Sequence, residues 1–173
     1  MEKYVPDIYQ KSIYAINYDA LLSRGIKCLL IDLDNTIAPI TEKVPNEQVK
    51  ELFAELKAKG FKIIIFSNNH KFRVRPFKDG LVVDCCAFAR KPRPDKFLRV
   101  MDLYGYSVSE VAIIGDSIVD DIAGGNGVGI TTILVNPIGK REFLFAKIRR
   151  WRENRLVKKM RDKDLFTRGR YYE

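Results

Sequence analysis

Three apolar runs of the 173-residue chain end in polar segments, and a fourth polar segment lies between the second and third runs. The segments are Asp32–Thr36, Ser67–Asn69, Lys91–Pro92 and Gly115–Asp121. Carboxylates that gather at one place repel one another unless a cation lies among them, and a hard divalent ion, most simply Mg²⁺, would relieve that repulsion. Two carboxylates two residues apart, a hydroxyl, a lysine and a metal-binding aspartate are also the groups that phosphoryl transfer through an aspartyl-phosphate needs.

The elements that would position these segments alternate between strands and helices. Four apolar runs predict strands, at 27–31, 61–66, 111–114 and 130–135. Apolar residues at helical spacing predict one helix between Pro45 and Gly60 and another between Pro94 and Gly105. This alternation predicts an α/β fold, with a mainly parallel sheet covered by helices on both faces. Because ligands bind at the carboxyl ends of such strands, the polar segments should converge at one edge of the sheet.

Each motif alone has a commoner structural explanation. An Asp-x-Asp or Ser-Asn-Asn sequence usually forms a turn or a helix cap, and a Lys-Pro pair is usually exposed. Their joint occurrence in this order favours the phosphoryl-transfer hypothesis. Gly124–Gly129 is a weak match to a dinucleotide loop, but it follows a predicted helix and therefore predicts a helix C-cap. We expect Cys85–Cys86 to pack in an edge strand. We expect His70 to lie at a helix start or in an exposed loop, with substrate contact as the alternative.

In this order, the four motifs resemble those of the haloacid dehalogenase superfamily of phosphatases, subclass IIIA. The segments that resemble its YqeG group in particular are Asp32–Thr36, Ser67–Asn69, Ala89–Pro92 and Gly124–Asn126. The resemblance covers about residues 5–137. It implies a Rossmann-like fold and a Mg²⁺-dependent phosphatase.

The resemblance also implies a role for each matching residue. Asp32 resembles the nucleophile, which is also a metal ligand. Asp34 resembles the general acid and base, whose backbone carbonyl is offered to the metal. Asp116 resembles a direct metal ligand, and Asp121 matches a second acidic position for which Asp120 is the competing assignment. The residues implied to bind the substrate are Thr36, Ser67, Asn68 and Lys91.

The intervals between the motifs are too short for a cap domain. There are 30 residues between Thr36 and Ser67 and 23 between Ser67 and Lys91, whereas a separate cap needs at least ~50. We therefore expect an open site. Within the superfamily this resembles the capless class, whose members often act on bulky or surface-bound phosphates or complete their sites with a partner subunit.

Composition predicts a globular cytoplasmic protein. Apolar residues make up 46% of the chain and charged residues 31%, and no stretch approaches the ~18 to 20 apolar residues of a membrane-spanning helix. The first residues contain no apolar signal-peptide run. The three cysteines contain no CxxC spacing, so a disulfide scaffold or a cysteine zinc site is not expected.

The net charge of +9 is concentrated near the C-terminus. Residues 139–173 contain 13 Lys or Arg and 5 acidic residues, a net of +8, which leaves +1 for residues 1–138. We therefore predict a phosphatase domain over 1–138 and a basic helical tail over 139–173. A helix over 143–160 would place Leu144, Ile148 and Trp151 on one stripe, which suits either a membrane surface or docking on the domain.

Three functions follow from these observations. In the first, the protein is a Mg²⁺-dependent phosphatase at the inner face of the membrane. Its substrate would be phosphatidylglycerophosphate, an anionic phospholipid, because YqeG-like proteins resemble phosphatases of that lipid. In the second, the same site acts on a soluble phosphorylated metabolite. In the third, the basic tail binds nucleic acid or the ribosome, and such binding would weaken steeply with salt and survive the loss of Asp32.

Overall fold

In the part of the chain that the structure describes, six parallel strands form one central sheet. The computed structural model describes residues 1–139 and 144–173, with residues 144–150 described by their backbone alone. The strands are β1 (Ile8–Gln10), β2 (Cys28–Ile31), β3 (Lys62–Phe66), β4 (Asp84–Cys86), β5 (Val111–Gly115) and β6 (Thr131–Val135). They lie in the order β1-β6-β5-β2-β3-β4, and every neighbouring pair is parallel. The predicted parallel α/β sheet is confirmed.

Helices connect the strands. They are α1 (Tyr18–Ser23), α2 (Glu47–Ala58), α3 (Lys71–Leu81), α4 (Asp95–Tyr104), α5 (Ala123–Val128) and α6 (Leu144–Asp162). The helix predicted to open at Pro45 is α2, which begins at Glu47 because the side chain of Asn46 caps it by accepting a hydrogen bond from Val49 N at 3.0 Å. The helix predicted after Pro94 is α4, which ends at Gly105 in the left-handed conformation.

Alternate residues of β2 pack into two different cores. Leu29 and Ile31 belong to a cluster with apolar residues of α2 and α3 on one face. Leu30 belongs to a cluster with Phe97 of α4 on the other face. All of these side chains are fully buried, and each contributes about 1.5 to 3 kcal/mol on burial. The end of β2, and the carboxylates that follow it, are therefore held firmly in place.

The chain leaves no room for a separate cap in the described residues. Residues 32–46 connect β2 to α2, and residues 67–70 connect β3 to α3. Helix α3 itself was not predicted, because Pro76 and Gly80 interrupt its pattern of buried residues. Gly80 permits a close approach to Pro45, whose Cγ would lie 2.7 Å from an added Cβ.

Three smaller expectations are also confirmed. Gly129 caps the C-terminus of α5 in the left-handed conformation, although the glycines before it lie inside the helix. Cys85 and Cys86 lie in β4, at the edge of the sheet. His70 precedes α3, and its Nδ1 accepts a hydrogen bond from Arg73 N at 3.3 Å.

The C-terminal segment packs on the domain. Met160 and Phe166 are buried in a cluster with Tyr9, and Tyr172 pairs with Tyr9 through two backbone hydrogen bonds of 2.9 and 3.0 Å. Trp151 is 61% exposed, so the buried face differs from the predicted stripe. Phe143 and the side chains of Leu144, Phe145 and Ile148 lie outside the described residues.

No helix in the described part of the chain combines the length and the apolar composition that crossing a bilayer requires.

Candidate active site

Asp32 lies at the carboxyl end of β2 and touches several groups of the site. Its backbone N–H donates to Ile114 O at 2.9 Å, which fixes it against the neighbouring strand β5. Its carboxylate receives Lys91 Nζ on Oδ1 at 2.7 Å and the hydroxyl of Thr36 on Oδ2 at 3.2 Å. The same hydroxyl lies 3.5 Å from Asp116 Oδ1. The polar residues after β2 and β5 therefore meet at one edge of the sheet, as predicted.

Three buried aspartates form a group that fits a divalent cation. Oxygens of Asp32, Asp116 and Asp121 all lie within 4.8 Å of one another. Opposite oxygens around a six-coordinate Mg²⁺ are separated by about 4.2 Å, because each lies about 2.1 Å from the ion. The donor set is entirely oxygen, and only small movements would bring these atoms to that spacing.

Lys91 neutralises part of this negative charge. Its ammonium, almost fully buried, lies 2.7 Å from Asp32 Oδ1, 2.6 Å from Asp121 Oδ1 and 2.7 Å from Phe66 O. Two hydrogen bonds from Asn68 hold its backbone: Lys91 N donates to Asn68 Oδ1 at 2.7 Å, and Asn68 Nδ2 donates to Lys91 O at 3.1 Å. The Asn68 side chain thus positions Lys91, and its contact with a substrate stays a prediction.

Burial dominates the electrostatics of this group. It raises the pKa of Asp32 to about 6, although Lys91 opposes the shift, and the neighbouring Asp121 adds to it. Burial also raises the pKa of Asp121 above its usual range. Burial lowers the pKa of Lys91, but the carboxylates of Asp121 and Asp32 outweigh it and raise that pKa above its ordinary value. The pKa values of Asp32 and Asp121 thus stay raised despite the ammonium between them, which is the condition that a bound cation would relieve.

Asp34 lies outside the group of three aspartates and has partners of its own. Arg73 donates from Nε to Asp34 Oδ1 at 2.9 Å, and Asn69 Nδ2 donates to Oδ2 at 2.9 Å. The guanidinium of Arg73 also hydrogen-bonds to the carbonyls of Pro39 and Glu42 and lies over the ring of Phe77. Arg73 was not among the predicted site residues, because the helix that carries it was not predicted.

Ser67 lies at the end of β3, within the same edge of the sheet. Its side chain is buried, and its hydroxyl oxygen accepts a hydrogen bond from Asn69 N at 3.1 Å. The role predicted for it as a phosphate-binding hydroxyl stays a prediction.

In the last motif, Gly115 leaves the space that the carboxylate of Asp121 occupies in the acidic group. An added Cβ at Gly115 would lie 2.1 Å from Asp121 Oδ2, so only glycine lets this carboxylate approach the end of β5. Asp121 Oδ2 accepts a hydrogen bond from Ser117 N at 3.0 Å. Asp120, the competing assignment, instead lies 3.5 Å from Asn68 Nδ2 through its Oδ2.

A carboxylate from the C-terminal helix also reaches this motif. Glu153 of α6 is buried, and its Oε1 accepts a hydrogen bond from the hydroxyl of Ser117 at 2.8 Å. The sequence offered no signal for this contact, because Glu153 lies in a stretch of otherwise exposed charges.

The sequence matches a family model over residues 3–129, which include all four motifs. The model describes haloacid dehalogenase-like hydrolases. The chain belongs to this family. This hydrolase is also 31% identical over 160 residues to the protein named "Probable phosphatase YqeG" of Bacillus subtilis (strain 168), which covers 92% of this chain and 93% of that protein. It is therefore a phosphatase of the haloacid dehalogenase type, and the fold and family that the motifs predicted are confirmed.

Solved structures share the fold of this haloacid dehalogenase-like hydrolase. The cobalt-bound deoxy-D-mannose-octulosonate 8-phosphate phosphatase of Haemophilus influenzae matches with a TM-score of 0.54 and 13% identity, over 78% of this chain and 89% of that chain. D,D-heptose 1.7-bisphosphate phosphatase from B. bronchiseptica, complexed with magnesium and phosphate, matches with a TM-score of 0.51 and 16% identity, over 63% and 80%. At these identities the likeness concerns the fold alone.

Proposed function

We propose that this phosphatase is Mg²⁺-dependent, works through an aspartyl-phosphate on Asp32, and removes the phosphate of phosphatidylglycerophosphate at a membrane surface. The observation that carries the chemistry is the position of the Asp32 carboxylate. It contacts both Lys91 and Thr36 and belongs to the group of three aspartates. A nucleophilic carboxylate needs a cation and hydrogen-bond donors beside it to receive a phosphate dianion.

The proposed reaction has two steps. In the first, an oxygen of Asp32 forms a bond to phosphorus, the bond from phosphorus to the leaving oxygen breaks, and Asp34 gives its proton to that oxygen. In the second, Asp34 takes a proton from water as the water attacks phosphorus, the bond to Asp32 breaks, and inorganic phosphate leaves. The hydrogen bonds from Arg73 and Asn69 orient the carboxylate of Asp34 for both proton transfers.

The metal and the phosphate would be held by different residues. Asp32, Asp116 and Asp121, together with the backbone carbonyl of Asp34, would hold Mg²⁺, which when bound would neutralise charge on the phosphate oxygens. The predicted phosphate-binding residues are Thr36, Ser67, Asn68 and Lys91.

A lipid substrate is supported by the surroundings of the site. The residues that the structure describes form no cap over the site, and two apolar side chains are exposed beside it. Phe72, 86% exposed, directly precedes Arg73 in α3. Phe88, 50% exposed, donates its backbone N–H to Asn69 O at 2.9 Å. Exposed aromatic rings next to basic residues suit contact with an anionic lipid surface.

Turnover of several phosphates by the purified protein tests the substrate. We expect Mg²⁺-dependent release of phosphate from phosphatidylglycerophosphate in vesicles, and slower release from soluble sugar, nucleotide and aryl phosphates. Phe72→Ala combined with Phe88→Ala should reduce turnover on vesicles but not on a soluble aryl phosphate. Leu103→Ala is the matched control, because Leu103 is 71% exposed near the end of α4, which leads to the opposite edge of the sheet. Equal rates on soluble phosphates and vesicles would favour the soluble-metabolite alternative.

Trapping the intermediate tests the chemistry separately. Acid quenching during turnover of a labelled substrate should yield protein-bound phosphate that hydroxylamine releases, as an acyl phosphate requires. Asp32→Asn should abolish both the trapped phosphate and turnover. An acid-stable phosphate on Ser67 would contradict the proposed mechanism.

A further inference from the structure

The helix at the C-terminus contributes a buried carboxylate to the loop that carries two of the proposed metal ligands. Glu153 of α6 is 4% exposed. Its Oε1 accepts the hydroxyl of Ser117 at 2.8 Å, and its Oε2 lies 3.8 Å from a guanidinium nitrogen of Arg168. Ser117 stands between Asp116 and Asp121, so this contact joins a remote part of the chain to the acidic group.

The chemistry of the two groups sets the direction of the hydrogen bond. An ionised carboxylate only accepts, so the Ser117 hydroxyl donates its proton to Glu153. The lone pairs of the hydroxyl oxygen are then directed away from Glu153, and one of them accepts Asp120 N at 3.2 Å. The backbone N–H of Ser117 meanwhile donates to Asp121 Oδ2 at 3.0 Å. One serine thus uses its hydroxyl proton, its oxygen and its backbone N–H to fix the turn from Asp116 to Asp121.

We propose that Glu153 is a positioning residue for the metal site, acting through Ser117 on the loop that presents Asp116 and Asp121. The inference rests on the proposed function, since it assumes that these aspartates bind Mg²⁺. In this proposal residues beyond 139, predicted as a basic tail with docking on the domain as one alternative, help to build the site.

A purely structural role for Glu153 predicts a different outcome. Removing one member of a buried polar group from its partners lowers stability, but a loss of stability alone does not change the Mg²⁺ affinity of protein that stays folded. If Glu153 only filled space, Glu153→Leu would leave Mg²⁺ affinity unchanged. If it orients Ser117, the same substitution should weaken Mg²⁺ binding even where the protein stays folded, because groups that orient metal ligands typically change metal affinity by about 10- to 100-fold.

Calorimetric titration of the full-length protein with Mg²⁺, without substrate, tests the proposal. We expect Glu153→Leu to weaken Mg²⁺ binding by about 10- to 100-fold. Glu153→Gln should stay close to the unsubstituted protein, because the amide oxygen also accepts from Ser117. Phe166→Ala is the matched control: Phe166 is buried where the same segment packs on Tyr9. It should lower stability in urea without changing Mg²⁺ affinity.

Two further results separate the possible failures. If Glu153→Leu does not fold, Ser117→Ala removes the same hydrogen bond from the other side and should weaken Mg²⁺ binding similarly. Unchanged affinity in the folded variants, or an equal loss in Phe166→Ala, would overturn the inference while leaving the metal site intact. Absence of Mg²⁺ binding by the unsubstituted protein would overturn the metal site itself, and this inference with it.

Discussion

Replacing Lys91 by Met should leave two buried carboxylates without their cation. The ammonium lies 2.7 Å from Asp32 and 2.6 Å from Asp121, and the side chains of Lys91 and Asp121 are 2% and 1% exposed. Methionine has a similar length but no charge, so the substitution preserves most of the packing. Removing one partner of a buried ion pair typically costs about 3 to 5 kcal/mol, and we expect a loss of this size in the free energy of unfolding.

The loss should depend on pH and on Mg²⁺ in a defined direction. The pKa of Asp32 is already raised to about 6 by burial, and removing Lys91 raises it further. A carboxyl whose pKa is higher in the folded protein binds more protons there, so stability increases as the pH falls through that pKa. The deficit of Lys91→Met should therefore shrink between about pH 8 and about pH 5. Added Mg²⁺ should also reduce it, by supplying the missing positive charge.

Urea denaturation with and without EDTA measures these effects. The control is Lys62→Met, which removes the same charge from an ion pair with Asp84 in which both side chains are partly exposed; we expect it to cost at most about 1 kcal/mol. Stability of Lys91→Met equal to that of the unsubstituted protein at about pH 8 in EDTA, or a deficit that is the same at both pH values, would contradict the role of Lys91 as the cation for these carboxylates.

Other substitutions test single contacts. Asp34→Asn should slow turnover by about 10²- to 10⁴-fold, measured as kcat on an alkyl phosphate. Arg73→Met should slow alkyl phosphates more than p-nitrophenyl phosphate, whose leaving group needs little protonation; an equal loss on both would contradict a role in orienting Asp34. Gly115→Ala should displace the carboxylate of Asp121, cost about 1 to 3 kcal/mol in thermal or urea unfolding, and weaken Mg²⁺ binding. Truncation after Gly139 removes the buried side chains of α6. It should lower the melting temperature, and it should slow turnover of soluble and vesicle substrates alike. Unchanged activity on both substrates would show that the segment does not support the site.

The strands that position the site could be predicted from the sequence, because strands buried on both faces consist almost entirely of apolar residues. A strand covered on both faces is apolar throughout, so the point where Ile31 gives way to Asp32 marks the edge of the sheet. The residues that were missed act through long-range contacts. Arg73 belongs to a helix whose pattern Pro76 obscures, and Glu153 cannot be distinguished in the sequence from the exposed charges around it.

The packing of α6 on the domain shows that the basic C-terminal segment is part of the folded domain. From the sequence, docking on the domain and contact with an outside surface were alternatives for this segment. In the structure, however, one face of α6 packs on the domain and another face is exposed. Glu153 and Met160 are buried against the domain, whereas Trp151 is exposed and the guanidinium of Arg155 lies 5.5 Å from its ring centre. One face of α6 is therefore held on the domain while Trp151 and Arg155 on another face stay exposed. The buried face carries Glu153, which hydrogen-bonds to Ser117. A ligand bound to the exposed basic face would therefore contact a helix that is connected to the proposed metal site.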